Sequence, residues 1–118
     1  GAFLTVQAGR AKAFFMDDVL LAGLVANSED PAKWTISDKA LTTEPYAMIE
    51  PKDDPDFKKA VDDAVVAMIK SGEIEKLYKK WFENPIPPKN INMNLPMSEA
   101  LKKALANPTD SPDPAKYQ

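Results

Sequence analysis

The sequence contains no cysteine and no histidine. Their absence excludes a disulfide framework, a thiolate or imidazole metal centre, cysteine nucleophiles and Ser-His-Asp chemistry. Arginine is nearly absent too: among 15 Lys and Arg residues, Arg10 alone is arginine. Planar, bidentate recognition of carboxylate or phosphate normally falls to arginine. Such a clamp therefore rests on Arg10 or on residues outside this chain. Positive charge is not in excess, since 18 acidic residues give a net charge of −3. That balance argues against a nucleic-acid partner, which calls for a basic patch. No run of about 18 apolar residues is present to span a membrane. Gly1-Ala2-Phe3-Leu4 has no initiating Met and no basic start or apolar core of a signal peptide. This start fits a mature product or a fragment. Cysteine absence alone does not fix the compartment.

The 118 residues suit one domain or a piece of a larger one. Residues 2–9 read as a short helix ending at Gly9. Residues 11–16 (Ala-Lys-Ala-Phe-Phe-Met) read as a short apolar strand closed by Asp17-Asp18, in the manner of a buried parallel strand. Residues 18–27 suit a helix with acidic residues at its start and Asn27 near its end. Trp34-Thr35-Ile36-Ser37 alternates and reads as a second strand. The first 45 residues thus follow an α-β-α-β order, which suggests parallel α/β packing.

Thr43-Glu44-Pro45 interrupts this order, and residues 46–50 form a third candidate strand. Asp53 or Asp54 is placed to cap the next helix, with Pro55 at its first position. Phe57, Val61, Ala64, Val65, Met68 and Ile69 then line one face of a helix over 55–70. Ser71-Gly72 ends it. Ile74, Leu77, Tyr78, Trp81 and Phe82 line a second helix over 73–83, with Lys76, Lys79 and Lys80 facing outward. Seven of the eleven prolines lie from Pro85 to Pro114. Residues 84–88 are therefore expected to run extended over the surface. Ser98 is placed to cap a last helix to about Ala106, and 107–118 reads as a flexible tail.

The adjacent carboxylates Asp17-Asp18, Asp53-Asp54 and Asp62-Asp63 invite an acid–base reading. Neighbouring residues point in different directions on a helix or strand, so they do not make catalytic pairs. No metal site and no cofactor site is expected. Asp17 follows a predicted strand at its C-terminal end, where open α/β sheets bind ligands. On these grounds alone it reads more readily as a helix cap.

Three stretches together resemble a known family. They are Ala8-Gly9-Arg10-Ala11-Lys12-Ala13-Phe14-Phe15-Met16-Asp17-Asp18, Lys52-Asp53-Asp54-Pro55-Asp56-Phe57-Lys58-Lys59-Ala60-Val61 and Ser71-Gly72-Glu73-Ile74-Glu75-Lys76-Leu77-Tyr78-Lys79-Lys80-Trp81-Phe82. In order and spacing they look like the C-terminal half of the polar amino-acid solute-binding proteins of bacterial ABC importers. Asn84-Pro85-Ile86-Pro87-Pro88-Lys89-Asn90-Ile91-Asn92-Met93-Asn94 resembles the glutamate/aspartate-binding branch. The resemblance runs over nearly the whole chain, and the first stretch and the Pro-rich stretch are its most specific parts.

The resemblance implies an α/β fold: the C-terminal portion of a two-lobe periplasmic binding protein type II fold, incomplete, with about three strands and four to five helices. Residues 1–45 are then part of the second ligand-binding lobe. Residues 46–106 return to the first lobe, and 107–118 are the tail. It implies a periplasmic, non-enzymatic binder of glutamate or aspartate that delivers ligand to a membrane permease. In the Gly-Arg-x-x-Ala motif the family's ligand-ammonium aspartate maps to Asp17, with Asp18 as cap or supporting residue. Thr43, Glu44 and Pro45 fall at the second crossover, the hinge; an ordinary loop is the competing reading. Arg10 either orients the turn before the first strand or lies solvated on the surface. The family's arginine clamp for the ligand α-carboxylate lies in the half of the fold not present in this sequence. Two other classes compete: an enzyme of the same fold resembling a cyclohexadienyl dehydratase, and a small protein-interaction module.

The apolar stripes over 55–70 and 73–83 need a sheet to cover, and three short strands offer little. The chain is therefore expected to be incomplete alone. It should be held by the rest of its fold, by a second copy through strand or lobe exchange, or be partly disordered.

Overall fold

A computed structural model describes residues 1–117. Five α-helices follow in order: α1 (Ala2–Gln7), α2 (Asp18–Ala26), α3 (Pro55–Lys70), α4 (Glu73–Phe82) and α5 (Glu99–Ala106). Short 3-10 turns cover Pro31–Lys33 and Pro114–Tyr117. Each α-helix lies where the sequence places one, within a residue or two at the ends.

The starts and stops have local causes. Asp54 caps α3, its carboxylate accepting from the Phe57 N–H at 2.9 Å, and Pro55 opens the helix. Ser98 caps α5 by accepting from the Leu101 N–H at 3.2 Å. Between α3 and α4 the chain turns at Gly72, whose φ of 75° lies in the left-handed region. A side chain there would meet no neighbour but would strain the backbone. Ser71-Gly72 thus ends one helix and starts the next, and the two pack as a hairpin.

The three expected strands do not pair. Residues 11–16, 34–37 and 46–50 carry no strand ladder, and among the described residues the sole bridge is the antiparallel pair Ile86–Ile91. The three-strand part of the expected fold is thus corrected for this chain. A strand forms only when its N–H and C=O groups meet a partner's, unlike a helix, which satisfies them internally. The Pro-rich stretch also departs from a simple extended path. It folds into a tight turn over 87–90, closed by the Ile86 N–H donating to Ile91 C=O at 3.0 Å, with a cis Pro87–Pro88 bond. Asn92 Nδ2 then donates to Glu83 C=O at 2.9 Å, and the Leu95 N–H to Phe82 C=O at 3.0 Å. These bonds tie the segment to the end of α4.

The core is minimal. Ala22 of α2, 4 % exposed, is the one buried hydrophobic among the described residues. Yet α2 is apolar on every face after Asp18, the mark of a helix meant for an interior. Met93 lies over Gly23, and Ile91 lines the same groove beside Ala22. Phe3 stacks near Trp34 at 4.6 Å and Phe14 at 6.3 Å, while Tyr78 meets Phe82 at 4.6 Å. The rest stays open: Phe15 is 81 % exposed and Ile49 wholly so.

The surface makes the same point in area. The chain of 13.0 kDa exposes 9365 Å², against about 6,300 Å² for a compact monomer of that mass. Its radius of gyration is 17.0 Å, against about 13.5 Å for a compact domain of this length. The apolar faces are made but not covered. Isolated, the chain is expected to melt without a cooperative transition and to bind an apolar dye strongly. A sharp calorimetric transition with no dye binding would contradict this.

The C-terminal residues carry contacts of their own. The Tyr117 hydroxyl donates to Ser111 C=O at 2.6 Å, and Asp110 meets Lys58 of α3 at 2.8 Å. The Lys58 ammonium holds the Asp110 carboxyl below its ordinary 3.8. The pair therefore adds stability above pH 3.8, lost as pH falls through the lower folded value. Both groups are exposed, so the effect is small and screened by salt. Amide protection over 110–117, relative to the intrinsic exchange rate at each pH, is expected to fall below pH 3.8, and in Asp110→Asn to be already low at neutral pH.

Candidate functional site: the Asp17 carboxylate

Asp17 ends an extended segment and occupies the N-cap position of α2. Its backbone carbonyl accepts from Leu20 at 3.1 Å and Leu21 at 2.9 Å, which starts the helix. Its side chain makes no capping bond. That is unusual for an aspartate in this position, where the carboxylate normally accepts from the second or third amide of the helix. The neighbouring Asp18 instead accepts from the Val19 N–H at 2.7 Å. The two carboxylates divide the work. Asp18 serves the helix terminus, where the macrodipole favours an anion, and Asp17 is left to face outward.

One group reaches Asp17. The Tyr46 hydroxyl, 29 residues along the chain, donates to Asp17 Oδ2 at 2.6 Å. The bond raises the Tyr46 phenol above its ordinary 10.0, chiefly because ionising it would remove the proton that the hydroxyl donates to Asp17; the nearby Asp17 charge adds to this. Asp18 and Glu44 add to this from further off. Every charged group acting on the phenol is an anion, so the corner where residues 17–18 meet 44–46 carries negative potential. Asp17 and Tyr46 are both exposed, and neither lines an enclosed pocket. In chemical terms the corner offers a carboxylate with Oδ1 open, suited to a cationic donor.

The other expected residues sit as follows. Thr43, Glu44 and Pro45 lie in irregular extended chain directly before Tyr46, with Thr43 half-buried and the other two exposed. Arg10 is exposed, and its N–H donates to Thr5 C=O at 3.0 Å just after α1. The remaining adjacent carboxylates do not act as pairs. Asp62 meets Lys58, Asp63 meets Lys59, and Asp54 caps α3 while Asp53 does not. No group of three metal-ligating side chains occurs among the described residues. No helix there is long and apolar enough to cross a membrane. Tyr46 was not singled out from the sequence, because nothing local announces a contact made at such a separation.

The family of bacterial extracellular solute-binding proteins, family 3, matches residues 2–84. The chain belongs to that family. It is 48 % identical over 109 residues to the glutamate/aspartate import solute-binding protein of Escherichia coli K12, and 47 % identical over 109 residues to the L-glutamate/L-aspartate-binding protein of Pseudomonas aeruginosa. An amino-acid-binding protein of Dichelobacter nodosus is 31 % identical over 85 residues. The first two alignments cover 92 % of this chain but 36 % of each relative. The chain thus spans about a third of the length of those relatives. Family membership implies the two-lobed binding fold. The relatives are named as binding proteins rather than as enzymes.

The Tyr46–Asp17 bond can be checked alone. In a carbon-detected NMR titration, the Tyr46 phenol is expected to ionise above pH 10.0, and in Asp17→Asn to fall back toward that value. Equal midpoints in the two proteins would show that the contact is not populated.

Proposed function

We propose that this chain is the C-terminal part of the substrate-binding component of an amino-acid importer, and that the assembled protein binds glutamate or aspartate between two lobes. The observation that carries this reading is identity of 47–48 % across 92 % of the chain to relatives named for those two ligands. On this reading the protein is periplasmic and non-enzymatic and delivers its ligand to a membrane permease. Residues 1–45 belong to the second lobe and 46–106 return to the first, with Thr43, Glu44 and Pro45 as the hinge between them.

Asp17 meets the ligand α-ammonium group. Its carboxylate supports the role, being free of its own helix and open at Oδ1. Asp18 supports it by occupying the helix terminus. The aromatic stripe of α4 is packing surface for the first lobe rather than a ligand platform. What covers the open faces is the rest of the two-lobed fold or a second copy of this chain.

The test is isothermal titration with L-glutamate and L-aspartate, with L-lysine as control. The chain is titrated alone, and again after refolding with the portion of the Escherichia coli relative that it does not align to. Saturable heat from the acidic pair, and none from lysine, is expected in the complemented protein. Binding by the chain alone assigns the other half of the cleft to a second copy. Equal binding of lysine, or no binding in either form, would overturn the reading.

A further inference from the structure

Tyr46 carries a chemical role that its packing does not explain. The residue is 74 % exposed, so it is not held by burial. Its hydroxyl nevertheless sits 2.6 Å from Asp17 Oδ2, across 29 residues of chain. The hydroxyl, not the ring, is what the structure holds in place. A carboxylate at a helix start would otherwise turn back to its own amides. Here Val19 N–H is taken by Asp18, and the phenol draws one oxygen of Asp17 outward.

We infer that Tyr46 is the positioning residue for Asp17: it fixes one carboxylate oxygen so that the other faces the ligand ammonium group. The inference rests on the proposed function, since it needs Asp17 to be the ammonium contact. The phenol is a neutral donor, so it orients the carboxylate without cancelling the charge that attracts the ligand. An ammonium or guanidinium side chain in its place would orient Asp17 and neutralise it together. Position in the chain adds a second consequence. Tyr46 directly follows Thr43-Glu44-Pro45, so any rotation of that segment moves the phenol against Asp17. The ammonium contact is then set by the same segment that lets the lobes close. A ligand held by Asp17 favours the backbone arrangement that keeps Tyr46 on Oδ2, and that arrangement favours the ligand in return.

The test uses the complemented protein and the substitution Tyr46→Phe, which removes the hydroxyl and leaves the exposed ring. Glutamate affinity is expected to fall about tenfold, the scale of one charge-assisted hydrogen bond lost at an orienting group. Helix content by circular dichroism is expected to stay unchanged. The same substitution in an Asp17→Asn background is expected to cost nothing further, because the oriented charge is already gone. An unchanged affinity in Tyr46→Phe, or an equal loss in both backgrounds, would overturn the inference. Where Asp17→Asn binds nothing at all, the single substitution decides. Absence of binding by the unsubstituted complemented protein is a different result, which removes the proposed function itself.

Discussion

Backbone pairing is the constraint on which this structure depends. A helix satisfies its own N–H and C=O groups; a strand needs a neighbour. Residues 11–16, 34–37 and 46–50 have none. Without a sheet, α2, α3 and α4 have no layer to cover, and their apolar faces stay open. The accessible area of 9365 Å² follows from that single deficit. It exceeds the compact value by about 3,000 Å², several times the roughly 800 Å² that each partner gives to an ordinary protein–protein contact. An excess of this size belongs to the interior of one fold rather than to a docking patch. This weighs against reading the chain as a small interaction module, and agrees with its spanning about a third of its relatives' length.

The same asymmetry explains what could be read in the sequence. The α3 stripe from Phe57 to Ile69, its Asp54 cap and Pro55 start, and the Gly72 turn into α4 are local signals, and the structure follows each. The strand readings were local too, resting on apolar runs and alternation, but their realisation is not local. Phe15-Met16 and Met48-Ile49 have the composition of buried strands and remain on the surface for want of partners. The turn at 87–90 was missed for a related reason. Proline content excludes helix without saying whether the chain runs on or folds back, and Asn92 on the end of α4 decides it.

The candidate site divides in the same way. Composition and spacing alone favoured Asp17 as a cap. The resemblance put it in the ligand role instead, and the geometry leaves its side chain without a capping bond. Asp17 and Asp18 look alike in the sequence; their difference appears only once Val19 N–H has gone to one of them. Tyr46 is legible only in three dimensions, because what matters is a hydroxyl meeting an oxygen far back in the chain.

The electrostatics of the corner limit what this part of the protein does. Asp17, Asp18 and Glu44 together raise the Tyr46 phenol, so an approaching ligand meets negative potential. That field attracts an ammonium group. It repels the two carboxylates of glutamate or aspartate equally well, and like charges at contact distance are costly wherever water is excluded. An acidic amino acid therefore cannot be selected here. Arg10, the one arginine, makes no ion pair with the carboxylates of this corner among the described residues, so no bidentate clamp there offsets that repulsion. On the proposed function, recognition is split by charge. This chain holds the feature common to all amino acids, and the cations that distinguish acidic ones must come from the portion that completes the cleft.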